Sequence, residues 1–451
     1  MKNFYSLIPR IKKISIFAYP ISLTGLVNIS MNFVAMIFIA RLGINEIAAA
    51  TLATSLYITL LVTSTASLYA LSILISHQFS KWTVESGHAI GALFRNSIVV
   101  SAILSAVTGV FLWNGDKFLY LIGQNEALVR LTPSYFHYAA YSLFPNLLAM
   151  SVGQFYLGIG NSNFGLINSL MRLPFAWFLS YVLILGRLGF PQLGLAGVTC
   201  ANLIVNSLYS VVILIFMAYS KKLKSYRLFT RKQFFNWGVC KQILFLGIPI
   251  GVQFGGELLV MTVLTFLLGY IGAVPLAASQ IVSQFGLLAV MMVLGLTQAT
   301  SVLVSMEYAQ NNRVLIKEYA KAIQIVLMLF FLCWGIILLL FHNFLLNLFV
   351  AISEPENQLL KYYSLIFFAI SFVTMYIDSI RNSFSAILRG MQDSKTPMNI
   401  GLICLWFISL PCACLLAFGL HLGAVGLQLG FISGFLVASL LLKFRMSFIL
   451  R

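Results

Sequence analysis

Two carboxylates stand inside long apolar stretches of this chain. Glu257 lies in FLGIPIGVQFGGELLVMTVLTFLLGYIGAVPLAA, residues 245–278, and Asp378 lies in YIDSIRNSFSAILRG. An ionisable group in hydrocarbon is costly, so it faces a bundle interior or a water-filled cavity, where it handles ions or substrate. Because burial disfavours the charged form, a proton or a monovalent cation can compete for the carboxylate oxygens. Cation coupling by Glu257 and Asp378 is the chemistry these residues point to. Each also has a bland reading. Glu257 could only bridge helices, and Asp378 could pair with Arg381, three residues on along the same helical face. Arg381 itself fits three roles: a topology residue, a counter-ion, or a contact for an anionic substrate. One turn either side of Glu257 stand Gln253 and Met261, and Gln280 and Gln284 share a face of the next stretch. These four are candidates for a substrate cavity.

Other chemistry is missing. The five histidines are scattered, and no HExxH, GxSxG, Walker or EF-hand pattern occurs. The six cysteines form no CxxC pair and have no histidine at ligand spacing, so neither a disulfide framework nor a metal site is expected. No cofactor and no nucleotide-binding domain is indicated, which leaves a channel, a scramblase or a gradient-driven transporter. An integral membrane enzyme using the two acids as acid and base is the outlying alternative.

The elements that must position these acids are membrane helices. The chain of 451 residues is 60% hydrophobic and 9% charged, far from the roughly 25% charged residues of soluble domains. Apolar stretches occur near 14–40, 47–76, 90–113, 134–158, 164–186, 194–219, 243–270, 275–305, 320–350, 360–388, 397–419 and 422–447. Each can cross a hydrocarbon core of about 30 Å as a helix. The fold class expected is all-α and polytopic, with twelve transmembrane helices in two pseudo-symmetric six-helix bundles around a central cleft. The pairs 164–186/194–219 and 397–419/422–447 have connections so short that they must be tight antiparallel hairpins. The first stretch is too long for a signal peptide and is read as a retained span.

The net charge of +17 is not a nucleic-acid signature, because the basic residues sit in short loops between apolar stretches. With the N-terminus inside, 21 of the 28 Lys and Arg fall in inner loops and tails and five in outer loops. That bias places both termini and the basic segment 221–242 in the cytoplasm of a multi-pass plasma-membrane protein, in a bacterium the inner membrane. Arg172, followed by Pro174, is expected to snorkel toward the cytoplasmic end of its span. The partners implied are the lipid bilayer and a small-molecule substrate; no feature calls for an obligatory protein partner.

The two halves repeat. Pro20, Ile21, Gly43 and Ala48 recur as Pro249, Ile250, Gly272 and Ala277, all 229 residues later, as do Gly194 and Gly197 in Gly423 and Gly426. Domains of 1–220 and 243–451, joined by the linker 221–242, follow from that register. An even number of spans per half makes the repeats parallel, with a cavity between them and alternating access as the natural motion. Near this register Asn28 lies over Glu257 and Asn146 over Asp378, so the asparagines join the cavity candidates and only the C-terminal half is acidic. Pro20 and Pro249 each remove a backbone hydrogen bond and are candidate hinges.

LGIPIG with Glu257 eight residues after Pro249, AASQIV opening the next span, ILRGMQDSKTP, and FPQLGLAGV together resemble the multidrug and toxic compound extrusion (MATE) family, NorM-like branch, over essentially the whole chain. The resemblance implies an antiporter that exports organic, commonly cationic or amphipathic compounds in exchange for Na+ or H+. It places Glu257 and Asp378 among cation-site acids and Gln280 at the central cavity. A lipid-linked oligosaccharide flippase of the same superfamily is the alternative within transport. One departure stands out: the family's span 1 aspartate is Ala35 here, in FVAMIFIARLG, which implies coupling through the C-terminal half and a weaker preference for cationic substrates. Efflux of ethidium should therefore rise in Ala35→Asp; wild-type efflux equal to or above that of the variant removes this reading.

Overall fold

The computed structural model describes residues 7–81, 83–121, 123–230, 235–347 and 358–451. Its helices in chain order are α1 (Ile8–Ala40), α2 (Ile44–Ser67), α3 (Tyr69–Phe79), α4 (Val84–Trp113), α5 (Gly115–Leu121), α6 (Glu126–Val129), α7 (Pro133–Gly158), α8 (Asn163–Leu185), α9 (Ala196–Tyr219), α10 (Trp237–Ile271), α11 (Ala273–Ala309), α12 (Arg313–Asn347), α13 (Gln358–Gly390), α14 (Lys395–Gly419) and α15 (Gly423–Ile449). No strand occurs among the described residues. Among the described residues, eleven helices are long and apolar enough to cross a bilayer, counting α2 and α3 as one span. The twelfth is α7, whose 26 residues rise about 39 Å but carry several Tyr and Ser together with His137 and Gln154. The short α5 and α6 lie in what was expected to be plain loop.

Local chemistry sets the ends. Thr83 and Ser86 form a reciprocal capping box at the start of α4, with backbone-to-hydroxyl hydrogen bonds of 3.1 and 3.0 Å. Both expected hairpins are present, and they are built alike. Gly194 and Gly423 take φ of 54° and 56°, in the left-handed region that favours glycine. Three residues on, a Cβ on Gly197 would meet the backbone of Leu183 and Ile184 at 2.8 Å, and one on Gly426 would meet that of Leu416 at 2.7 Å. The repeat seen in the letters is thus a repeat of backbone geometry. In α14 the hydrogen bonding widens to π turns at Leu405–Ser409 and Leu415–Gly419, on either side of Pro411, which has no N–H to donate.

The chain packs as two compact units, Leu23–Gly255 (the N unit) and Met1–Ser22 with Gly256–Arg451 (the C unit). This differs from the division at 220 and 243 that the repeat suggests. The reason is helix length: α1 and α10 are unbroken helices of 33 and 35 residues, and the neighbours of each change along it. Ile14 and Ala18 of α1 pack among Leu303, Ile323 and Ile387 in the C unit. Ile243, Leu246 and Ile250 of α10 pack among Leu71, Ile75 and Phe94 in the N unit. The basic segment is also built into the N unit. It opens as a 3-10 turn, Lys221–Tyr226, and the guanidinium of Arg95 donates to the carbonyl of Arg227. Lys2, Arg231 and Lys232, three of the charges used to orient the chain, lie outside the described residues.

Between apolar helices in lipid there is little hydrophobic drive, so close approach through small residues carries the association. Gly247, Gly251 and Gly255 make such a stripe on α10: a side chain on any of them would strike Ser67 or Thr63 of α2. Gly251→Val should cost about 1–3 kcal/mol through overpacking, read as a lower denaturation midpoint in mild detergent. Gly153→Ala, where a Cβ meets nothing within 4 Å, should match or exceed wild type. Equal midpoints for the two variants would discard the account.

Candidate functional site

Within the C unit, α10 and α13 bring the two acids to one arginine. Glu257 stands about 30 Å along α10 from its first residue, and Asp378 about 18 Å from the end of α13, so neither is at a helix terminus. The approach of α10 is close because Gly256 has no Cβ; one there would collide with the side chain of Leu402 on α14. Arg381, fully buried, donates from Nη1 to Glu257 Oε1 at 2.7 Å and from Nε to Asp378 Oδ1 at 2.8 Å. Its Nη2 also lies 2.8 Å from Asp378 Oδ1. Asn382 Nδ2 donates to Asp378 Oδ2 at 3.0 Å, and the guanidinium lies over the ring of Phe435, 5.2 Å from its centroid.

Arg381 is ion-paired with both acids. A guanidinium does not deprotonate in proteins, and in a dry interior it must be matched by negative charge. Here two carboxylates face it. With both ionised the cluster carries one net negative charge, which a single proton or monovalent cation would neutralise. No group of three or more His, Cys, Asp or Glu side chains suited to a metal ion occurs among the described residues.

The other site candidates divide between the units. Asn28 and Asn146, the counterparts of the two acids, meet on the wall of one cavity of ≈ 400 Å³ inside the N unit, and Ala35 lines it too. Gln253, one turn before Glu257 on α10, is buried. Met261, Gln280 and Gln284 occupy exposed positions of the C unit. Pro20 and Pro249 lie inside continuous helix, each within six residues of a unit boundary.

One residue sits elsewhere than the sequence suggests. Arg172 does not snorkel to a helix end; it sits about 14 Å along α8 and lines the N-unit cavity. The available signal was the asparagine spacing: Asn168, Asn202 and Asn206 line the same wall, and Arg172 Nη1 donates to Asn206 Oδ1 at 2.8 Å.

A family model, MatE, matches the chain twice, over residues 20–182 and 249–415, with starting points at the two helix prolines. This chain belongs to the MatE family. The MatE chain is 29% identical over 426 residues to the probable multidrug resistance protein NorM of Rhizobium meliloti, covering 94% of this chain and 91% of the relative. It is 28% identical over 425 residues to the protein of that name from Agrobacterium fabrum, covering 93% and 90%. In fold it matches a MOP superfamily transporter from Pyrococcus furiosus (TM-score 0.85, 17% identity, 98% of this chain and 96% of the other). It likewise matches the eukaryotic MATE transporter AtDTX14 (TM-score 0.84, 17% identity, 97% and 96%). Family and fold make this a multi-pass membrane transporter and not an enzyme.

The geometry orders the variants of the cluster by stability. Arg381→Gln leaves two partly buried carboxylates without their shared cation and should be the most damaging, on the order of 3 kcal/mol. Asp378→Asn keeps the Arg381–Glu257 bond and should cost less. Denaturation midpoints in detergent check this, and the reverse order would contradict the bridging role.

Proposed function

We propose that the chain is a secondary active exporter of organic, amphipathic compounds that exchanges them for Na+ or H+ by alternating access. The observation that carries the reading is the Glu257–Arg381–Asp378 cluster: a buried arginine between two partly buried acids inside membrane helices, with one negative charge in excess when both acids are ionised. An incoming positive ion would compete with Arg381 for the oxygens of Glu257 and Asp378. Occupied and empty clusters would then differ in which cation holds those oxygens, and only such a difference in affinity between conformations can move their equilibrium. Pro20 and Pro249 would serve as hinges, since each sits beside the place where its helix leaves one packing unit for the other. Support for multidrug export comes from the relatives named multidrug resistance proteins, which are bacterial and align along almost the whole chain. The orientation read from the basic loops, with both termini cytoplasmic in a bacterial inner membrane, belongs to this proposal.

The test is substrate efflux from everted vesicles under separately imposed sodium and proton gradients. Wild type should respond to one of them. Glu257→Gln and Asp378→Asn should each lose gradient-driven export by about tenfold or more, comparable to the loss of one charge-assisted bond at a site that must cycle. Export by both variants at the wild-type rate under either gradient would remove the coupling assignment.

A further inference from the structure

The N-unit cavity has a charge pattern that the coupling reading does not use. Arg172 is the one charged residue on its described wall; no Asp, Glu, Lys or His lines it. The guanidinium is held by Asn206 and lies over the ring of Tyr209, 4.9 Å from its centroid. Its Nε is buried and has no hydrogen-bond partner, and Arg172 is in no ion pair among the described residues. A cation placed mid-helix in hydrocarbon without a carboxylate is an unbalanced charge, and an orphaned buried donor is costly to keep.

The rest of the wall suits an organic guest. Asn28, Asn146 and Asn202 supply amides, Tyr57 and Tyr69 supply ring faces, and a volume of ≈ 400 Å³ lies in the range of small-molecule sites. Ala35, on the same wall, leaves the cavity without a negative charge to repel an anion. The two halves are not electrical copies. At the offset of 232 that relates Asn146 to Asp378, the N-terminal counterpart of Arg381 is Ala149, and at 229 the counterpart of Arg172 is Gly401.

We infer that the N-unit cavity binds the exported compound through an anionic group, a carboxylate or sulfonate on an aromatic, amphipathic body, with Arg172 as the charge that selects it. The inference rests on the export reading and narrows its substrate class. The guanidinium fork matches the planar oxygen pair of a carboxylate, and Nε–H together with an adjacent Nη–H is the edge such a pair takes.

The experiment is equilibrium binding of diethylaminocoumarin carboxylate and of its uncharged carboxamide to the purified full-length protein in detergent, followed by coumarin fluorescence. Wild type should prefer the carboxylate by about ten- to hundredfold, as expected for hydrogen bonds to a charged group. Arg172→Gln should abolish the preference, Arg172→Lys should keep part of it, and Ala35→Asp should weaken carboxylate binding more than carboxamide binding. Equal binding of the two probes to wild type, no carboxylate binding at all, or an unchanged preference in Arg172→Gln would each overturn the inference. Melting curves identify any variant that fails to fold, and Ala35→Asp tests the charge of the cavity without touching the arginine. Since no ion gradient is present, a failed coupling assignment in the vesicle assay leaves this result intact, and the reverse holds as well.

Discussion

A guanidinium with no access to water is the constraint on which the C unit turns. Arg381 is buried completely, and its charge has to be answered within hydrogen-bond reach. Glu257 answers it from α10, and Asp378 answers it from one turn earlier on α13, with Asn382 holding the far oxygen of Asp378. Two elements distant in sequence are thereby tied at one point, in a medium where apolar surface alone gives helices little reason to prefer one neighbour over another. At that point one arginine meets two carboxylates. Structure and chemistry coincide there: what holds α10 to α13 is also what a travelling cation would have to displace.

The duplication supplies the frame and not the chemistry. Paired glycines at the hairpins keep the same backbone conformation in both halves, and paired prolines sit in the long first helix of each. On that common frame Arg172 and Arg381 stand on helices that do not correspond. Arg381 in the C unit is faced by carboxylates; Arg172 in the N unit is faced by asparagines and a tyrosine ring. Two electrostatically different clusters stand on one repeated frame, because a few side chains set the electrostatics while glycine and proline set the path of the chain.

Much of the site was readable beforehand, for a reason specific to membranes. Where charged residues make up 9% of the chain, an acid inside a span is conspicuous, so Glu257 and Asp378 could be named from composition and hydropathy. Arg381 was recognised but left among three roles, since its reach across to α10 is not written in local spacing. Arg172 was misplaced for the same reason: snorkelling and cavity lining look identical until the neighbours of α8 are known.

The amino-acid sequence by itself determined the helical class, the number of spans, the repeat with its glycine hairpins, and the family, because hydropathy, glycine conformation and proline chemistry act over a few residues at a time. Tertiary structure alone decided which stretch of α1 and of α10 joins which unit, which acids share an arginine, and which asparagines share a cavity. Those outcomes depend on close packing between segments hundreds of residues apart, and in lipid that packing is selected by small residues and buried charges meeting in space rather than by any periodicity along the chain.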